Sequence, residues 1–389
     1  MLYLREESRG MFYHGFNSYM EHAYPWDELQ PLSCKGRRWD ARVRGTLDDS
    51  LGGFSTTLVD SLDMFALIGD YAGFRKHVRM VINEVHFNRN VNVSVFETNI
   101  RVLGGMLSAH MLLVDPVLGP ILMETRLSQE ERNNEIPPFS YNGELLDMSL
   151  DLGNRMLPAF RTKSGLPSHL VNLKYGIPKS NKKEAKETCV AAAGTLLLEF
   201  GILSRLTGVS TFESAAKRAV STIWEKRSKV NLLGITLNVE TGNWKQTHSS
   251  IGAGVDSFYE YLLKTYILFG DAKYLKMFEK AYEAVDTYII DGINYREVSM
   301  SNGNKYQGIV SSLAAFWPAL QVLKGDIDGG KRTFEGFYDL WTQYNAMPDL
   351  YNLDSGKLLQ YGRDWPLRPE LVESAYHLYT ATRDIKYIK

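Results

Sequence analysis

A tight turn recurs along this 389-residue chain and constrains its fold more than any other feature of the sequence. The turn is clearest at Gly270-Asp271, where one amphipathic helical pattern ends and a second begins at once. From Gly208 the turns recur after 62, 55 and 58 residues, at Gly270, Gly325 and Arg383. A helix-pair period of this size predicts a solenoid or a closed ring of helical hairpins, and therefore an all-α fold.

Composition and charge favour one large domain, residues 1–389, because the repeat is continuous and 44% of the residues are hydrophobic. The net charge of −1 without a basic run argues against nucleic acid as a partner and predicts an uncharged ligand. No apolar run approaches 18 residues, so we expect no transmembrane segment. The proline-rich stretch 116–141 is predicted to be a long surface loop.

The usual signals of several enzyme classes are missing from the sequence. Two cysteines, Cys34 and Cys189, are too few for a disulfide framework or a zinc site. The eight histidines contain no HExxH pair, and neither a GxSxG elbow nor a phosphate-binding glycine loop is present. The chemistry must therefore be sought among the carboxylates.

Three carboxylates share one position in the repeat. Glu97, Asp256 and Glu370 each lie near the start of a first helix, 14 to 18 residues before the turn that follows. In a ring of hairpins such positions converge, and glycoside hydrolysis needs a protonated acid and a carboxylate that activates water. Taken singly, each is more often an ordinary helix-terminal acid, and Glu97 with Arg101 also has the spacing of a helix-stabilising ion pair.

These carboxylates stand in segments that carry a family resemblance over essentially the whole chain. The sequence resembles class I α-mannosidases, glycoside hydrolase family 47, and among them the endoplasmic-reticulum degradation-enhancing α-mannosidase-like proteins. The segment FWPALQVLKGDID is similar to that branch and lacks the Asp-His pair expected in the processing mannosidases. The other matching segments are FYHGFNSYMEHAYPWDELQPLSC, TLVDSLD, SVFETNIRVLGGMLSAH, EFGILSRLTG, IGAGVDSFYEYLLK and WPLRPELVESAYHLYTATRD.

The resemblance implies an (α/α)7 barrel, which this chain would leave incomplete at its C-terminus by the final helix pair or pairs. It implies an inverting exo-α1,2-mannosidase that uses a calcium ion. The expected partners are high-mannose N-glycans on misfolded glycoproteins, trimmed in the endoplasmic reticulum lumen for ER-associated degradation. Two alternatives remain: a mannosidase-shaped lectin that binds such glycans without cutting them, and a helical scaffold whose carboxylates face solvent.

The motifs also imply roles for individual residues. Glu97 resembles the general acid, Asp256 the acidic residue linked to water, and Glu370 the general base. Three further residues resemble sugar-binding positions, namely Arg101, Arg368 and Glu373. Asn92 matches a glycosylation sequon of the group. Cys34 resembles a cysteine that pairs in this group with one further downstream, and a thiol oxidoreductase is an expected partner through Cys34.

Two departures from the family pattern change what is expected of this chain. The calcium-binding threonine of the family lies in a final helix pair that the chain does not reach, so no metal ligand can be named. Asp349 stands where Glu is expected. If the last hairpin is open, apolar helix faces should be exposed near Phe12–Tyr19 and Leu371–Tyr379.

Overall fold

The computed structural model describes residues 2–124, 139–177 and 186–388, and helices form most of this part of the chain. The predicted hairpin around Gly270-Asp271 is present: the helix Asp256–Phe269 precedes this turn and the helix Ala272–Ala284 follows it. The other α-helices are Leu2–His22, Thr56–Asp60, Leu62–Leu67, Tyr71–Glu84, Val95–Glu97, Gly104–Val114, Leu118–Met123, Glu144–Met156, Val190–Gly194, Leu197–Thr207, Thr211–Glu225, Trp317–Lys324, Ile327–Tyr344 and Glu370–Thr382.

The predicted turns are confirmed, and their chemistry is local. At Gly69, Gly208, Gly270, Gly325 and Arg383 the backbone has a positive φ, between 59° and 100°, which glycine adopts without steric cost. At most of these turns an aspartate follows and caps the next helix: its side chain accepts a hydrogen bond from a backbone N–H in the first turn. The capping aspartates are Asp70, Asp271, Asp326 and Asp384.

Short antiparallel strands connect the helices. Each is two or three residues long within the described residues, and they pair into two- and three-stranded sheets. The strands are Leu29–Gln30, Lys35–Gly36, Asn92–Ser94, Leu170–Asn172, Glu187–Cys189, Thr236–Asn238, Trp244–Gln246, His248–Ser249, Ile290–Asp291, Asn294–Tyr295, Glu297–Ser299, Lys305–Gln307, Ile309–Ser311, Leu350–Asn352 and Lys357–Leu358.

The chain groups into two compact units. The first unit comprises Met1–Thr162, Pro167–Ala185 and Glu199–Lys217. Part of its core is an aromatic cluster in which Phe16 packs edge-on against Phe65 at 4.8 Å and both rings contact His77. Burial lowers the pKa of His77 to about 4, so this imidazole is neutral near pH 7 and packs as an apolar ring.

The second unit comprises Lys163–Leu166, Lys186–Leu198 and Arg218–Lys389. Its largest fully buried side chain is Trp317, at the start of the helix Trp317–Lys324. Tyr282 stacks on this indole with ring centroids 5.5 Å apart, and Tyr259 meets it edge-on at 5.4 Å. Because both tyrosines lie on the hairpin that contains Asp256, this core holds that hairpin against the next one.

The structure differs from the sequence predictions at several places. The predicted loop 116–141 was wrong at Leu118–Met123, which is helical, and residues 125–138 lie outside the described part of the chain. The predicted exposure of an apolar face near Phe12–Tyr19 was wrong, because Phe16 and Tyr19 are buried. The predicted exposure near Leu371–Tyr379 is found at Val372 and Tyr376, which are both more than 60% exposed. One described stretch, Val190–Thr207, is apolar enough to cross a membrane, but 67% of it is buried, as in the core helix of a globular protein.

Candidate active site

In the first unit, Glu97 and Arg101 lie on a helix that changes its winding between them. Val95–Glu97 is α-helical and Thr98–Leu103 is a π-helix, a rare conformation that is frequent at functional sites. The Ser94 side chain caps this helix by accepting a hydrogen bond from the Glu97 N–H at 3.2 Å. Glu97 therefore has a fixed backbone position at the start of the helix.

Arg101 joins two carboxylates of this unit. It donates from Nε to Glu97 at 2.9 Å and from a terminal nitrogen to Asp60 at 3.3 Å. Partial burial raises the pKa of Asp60. The positive charge of Arg101 lowers this pKa, and the negative charges of Asp63 and Glu97 raise it. Sequence reasoning missed Asp60 as a member of this group, although a carboxylate within the apolar helix TLVDSLD was a usable signal.

Gly105 makes the approach between the Arg101 and Asp60 helices possible. A Cβ atom at this position would lie 2.8 Å from the backbone carbonyl oxygen of Val59. Real Cβ atoms do not come this close to backbone oxygen, so only glycine lets the two helices pack at this distance. Val59 precedes Asp60 directly, and the packing therefore sets the position of that carboxylate relative to Arg101.

In the second unit, Asp256 is the first residue of the helix Asp256–Phe269. Burial raises its pKa to about 6, the nearby charges of Glu260 and Glu370 act in the same direction, and hydrogen bonds from Ser257 oppose them. This carboxylate exchanges its proton near neutral pH, which is the range that acid–base catalysis requires. Its position at a helix N-terminus favours the ionised form above that pH.

Glu370 is also the first residue of its helix, Glu370–Thr382. Burial raises its pKa; Arg368 lowers it, and the charges of Glu260 and Asp349 raise it further. Its Oε2 atom is buried and has no hydrogen-bond partner among the described residues. A buried carboxylate oxygen without a partner is costly in a folded protein, and it is free to accept a hydrogen bond from a water or a sugar hydroxyl.

A lysine on the Asp256 helix partly balances this group of acids. Lys264 donates to Glu260 at 2.8 Å, one helical turn away. Burial alone would lower the pKa of Lys264, but Glu260 and Glu373 outweigh it and the pKa is raised. Burial also raises the pKa of Glu373, next to Glu260, Lys264 and Glu370. Glu260 is thus a further site residue, for which the sequence showed only the spacing of a local ion pair.

The structure thus brings together part of the predicted site. Asp256, Glu370 and Glu373 belong to one electrostatic group in the second unit, and Arg368 precedes Glu370 in the same group. Glu97 and Arg101 belong to the first unit, and their distance from the other group stays a prediction. Among the described residues no three His, Cys, Asp or Glu side chains are placed to hold a metal ion.

Two predicted surface positions lie away from these groups. Asn92 is partly exposed on the strand before Glu97, and its Oδ1 accepts a hydrogen bond from Asn172 at 2.8 Å. Cys34 is an exposed free thiol with a positive φ of 49°, in the turn between two short strands. Cys189 is also free, and burial raises the pKa of its thiol, which lowers its reactivity. Glycosylation of Asn92 stays a prediction.

Comparison with known proteins identifies the family of this arrangement. The sequence profile of glycosyl hydrolase family 47 matches residues 11–389. The chain belongs to this family. It is 47% identical over 386 residues to alpha-mannosidase I MNS4 of Arabidopsis thaliana, covering 99% of this chain and 57% of that protein. It is 44% identical over 387 residues to human ER degradation-enhancing alpha-mannosidase-like protein 3, covering 97% of this chain and 39% of that protein.

A solved structure supports the same grouping at the level of the fold. The alpha-1,2-mannosidase from Trichoderma reesei matches with a TM-score of 0.79 over 98% of this chain and 81% of that structure, at 24% identity. The expected all-α fold of the (α/α)-barrel class is confirmed by this likeness. The chain spans about half the length of the curated family 47 relatives described above.

Proposed function

We propose that this family 47 chain is the catalytic part of an inverting exo-α1,2-mannosidase, with residues 1–389 acting as one glycosidase domain. Its substrates are high-mannose N-glycans on misfolded glycoproteins in the endoplasmic reticulum, trimmed ahead of ER-associated degradation. The observation that carries the proposal is the buried Oε2 atom of Glu370, which has no hydrogen-bond partner in the described part of the chain. It lies near Asp256, and the pKa of Asp256 is about 6. The names of the relatives support the substrate class and the compartment.

The role proposed for each residue is the one that the family resemblance implies. Glu370 accepts the proton of the attacking water through its free oxygen. Asp256 holds that water by a hydrogen bond and is one of the negatively charged groups of the site. Glu97 gives the proton to the departing sugar oxygen, with Arg101 orienting it. Inversion requires the acid and base carboxyls to be about 6.5 to 9.5 Å apart, which leaves room for the water.

Sugar binding is proposed for the charged residues beside these carboxylates. Arg368 and Glu373 flank Glu370 on either side, and Arg101 has further guanidinium hydrogens beyond those used by Glu97 and Asp60. Calcium and the oxidoreductase partner belong to the proposal for the whole protein. Of the two free thiols Cys34 is the exposed one, which suits a mixed disulfide with such a partner.

The test is digestion of a purified high-mannose N-glycan, in the presence of calcium, by the wild-type chain and by Glu370→Gln. We expect the wild type to release mannose, and the β-anomer of mannose to appear in NMR spectra before the α-anomer. Glu370→Gln should release no mannose while keeping its fold. Glu144→Gln is the matched control, because Glu144 is also the first residue of its helix but is not a predicted site residue, and its carboxylate already accepts a hydrogen bond from the Asn142 N–H. Glycan binding without mannose release by the wild type would instead support the lectin alternative.

A further inference from the structure

One sheet of the second unit carries a polar face that the proposed mechanism does not use. Its strands are His248–Ser249, Glu297–Ser299 and Lys305–Gln307. Ser299 pairs with His248, and Glu297 lies two residues from Ser299 along the strand. Because side chains alternate along a strand and paired residues share a face, Glu297, Ser299 and His248 lie on one face of the sheet.

A β-bulge adds an aromatic ring to this face. Glu297 pairs with Gln307 and Val298 pairs with Lys305, so Tyr306 is the extra residue between them. Its ring is stacked on His248, with centroids 5.4 Å apart and planes 12° apart, yet 57% of the residue remains exposed. Bulges of this kind re-aim a side chain and are frequent beside active sites.

Glu297 has no strong partner in the described chain. Nε2 of His248 lies 3.9 Å away, which is too long for a hydrogen bond, and burial lowers the pKa of His248 so that its imidazole is neutral near pH 7. The neighbouring Arg296 instead binds Asp291 and Asp354. Burial raises the pKa of Glu297 to about 6, although the side chain is still 17% exposed.

Glu297 also lines a small cavity within the second unit. The cavity has a volume of about 70 Å³, room for a few waters or one substituent of a sugar ring but not for a whole pyranose. Its wall includes Ser250–Ala253, the stretch before Asp256, and Leu350, the residue after Asp349. Glu297 therefore shares a cavity with chain segments next to Asp256 and Asp349, two members of the candidate active-site group.

We propose that His248, Glu297 and Tyr306 form a subsite for a mannose residue of the glycan that lies outside the α1,2-linked disaccharide being cleaved. An exposed aromatic ring offers a surface for the C–H face of a pyranose, while Glu297 and His248 can accept and donate hydrogen bonds to its hydroxyls. A neutral sugar suits this face because the carboxylate would repel an anion. The proposal rests on the proposed function and adds to it a determinant of glycan choice.

The test separates binding from hydrolysis. Binding of a high-mannose N-glycan and of α1,2-linked mannobiose is measured by calorimetry in the Glu370→Gln background, with Tyr306→Ala, Tyr306→Phe and Glu297→Gln added in turn. Tyr306→Ala should weaken glycan binding about tenfold, as expected for loss of an aromatic anchor, and leave mannobiose binding unchanged. Tyr306→Phe, which keeps the ring, should bind like the parent. Tyr338→Ala, an exposed tyrosine on the helix Ile327–Tyr344, is the matched control.

Each outcome decides the point. Equal glycan binding by Tyr306→Ala and its parent overturns the subsite, even if the wild type hydrolyses the glycan. Tyr306-dependent binding by a chain that releases no mannose supports the subsite and contradicts the proposed hydrolysis. A wild type that neither binds nor hydrolyses the glycan overturns both. A lower melting temperature for Tyr306→Ala than for Tyr338→Ala, with binding unchanged, assigns Tyr306 a structural role only.

Discussion

Arg368 donates a hydrogen bond from Nε to Oδ1 of Asp349 at a distance of 3.0 Å. The same oxygen accepts a hydrogen bond from Ser312 at 2.9 Å, so Asp349 is itself held in place. Leu367, directly before Arg368, has a positive φ of 57°, a conformation that costs a non-glycine residue about 1–2 kcal/mol. The ion pair and the strained backbone together fix the guanidinium beside Glu370.

This relationship predicts the effect of substitutions at Asp349. Asp349→Asn keeps the shape but removes the charge that orients Arg368, so we expect the KM for a high-mannose glycan to rise about tenfold with a smaller change in kcat. Asp349→Glu restores the residue type expected from the family resemblance and should stay within about threefold of the wild type. Steady-state kinetics of both variants provide the measurement. Equal KM values for the wild type and Asp349→Asn would contradict a positioning role.

The titration of the Asp256 group predicts an acid limb in the pH profile. Asp256 has a pKa of about 6, and the pKa of Glu370 is raised from its ordinary value. A base must be ionised to accept a proton, so kcat/KM should fall as the pH decreases through about 6. The profile is measured between pH 4.5 and 8 under conditions in which the fold is intact by circular dichroism. A flat profile down to pH 4.5 would exclude these two carboxylates from the required ionised groups.

The hairpins could be predicted from the sequence because the interactions that decide them are local. A glycine with positive φ ends one helix and an aspartate caps the next, within two adjacent residues such as Gly270 and Asp271. The same holds for Glu370, whose place at a helix start follows from Pro369 before it. These features depend on backbone conformation and need no tertiary contact.

The electrostatic groups could be predicted only in part because their members come from distant segments. The i, i+4 spacing pairs Glu260 with Lys264, but it gives no sign that Glu373 lies near both. The bulge at Tyr306 depends on strand register, which strands of two or three residues do not specify by alternation. The error at Phe16 has a similar cause, since its partner Phe65 lies on another helix.

A stability measurement tests the burial of Asp256 independently of activity. Its pKa in the folded state, about 6, is above the ordinary value of 3.8, so the folded protein binds this proton more tightly than the unfolded chain. The ionised carboxylate therefore destabilises the fold fully above about pH 6, and the penalty disappears as the pH falls below about 4. Asp256→Asn should stabilise the protein at pH 7.5 by about 1–3 kcal/mol and have little effect near pH 4.

Urea unfolding at the two pH values measures this difference. Asp328→Asn is the control, because the Asp328 side chain is also in the first turn of its helix but is 85% exposed, so this substitution removes no buried carboxylate. A destabilised Asp256→Asn at pH 7.5 would contradict the burial of an ionised carboxylate at this position.

Two helical glycines provide a matched test of the close packing in the first unit. Gly105→Ala places a Cβ 2.8 Å from the Val59 carbonyl oxygen, which is backbone and cannot rotate away, so the helices must separate. We expect a loss of about 1–3 kcal/mol in the free energy of unfolding, together with a displacement of Asp60 from Arg101. Gly15→Ala meets nothing within 4 Å on the helix Leu2–His22 and should gain about 0.5–1 kcal/mol. Thermal or urea unfolding of both variants measures the effects. If Gly105→Ala were as stable as Gly15→Ala, the helix contact that positions Asp60 would have to be looser than the structure shows.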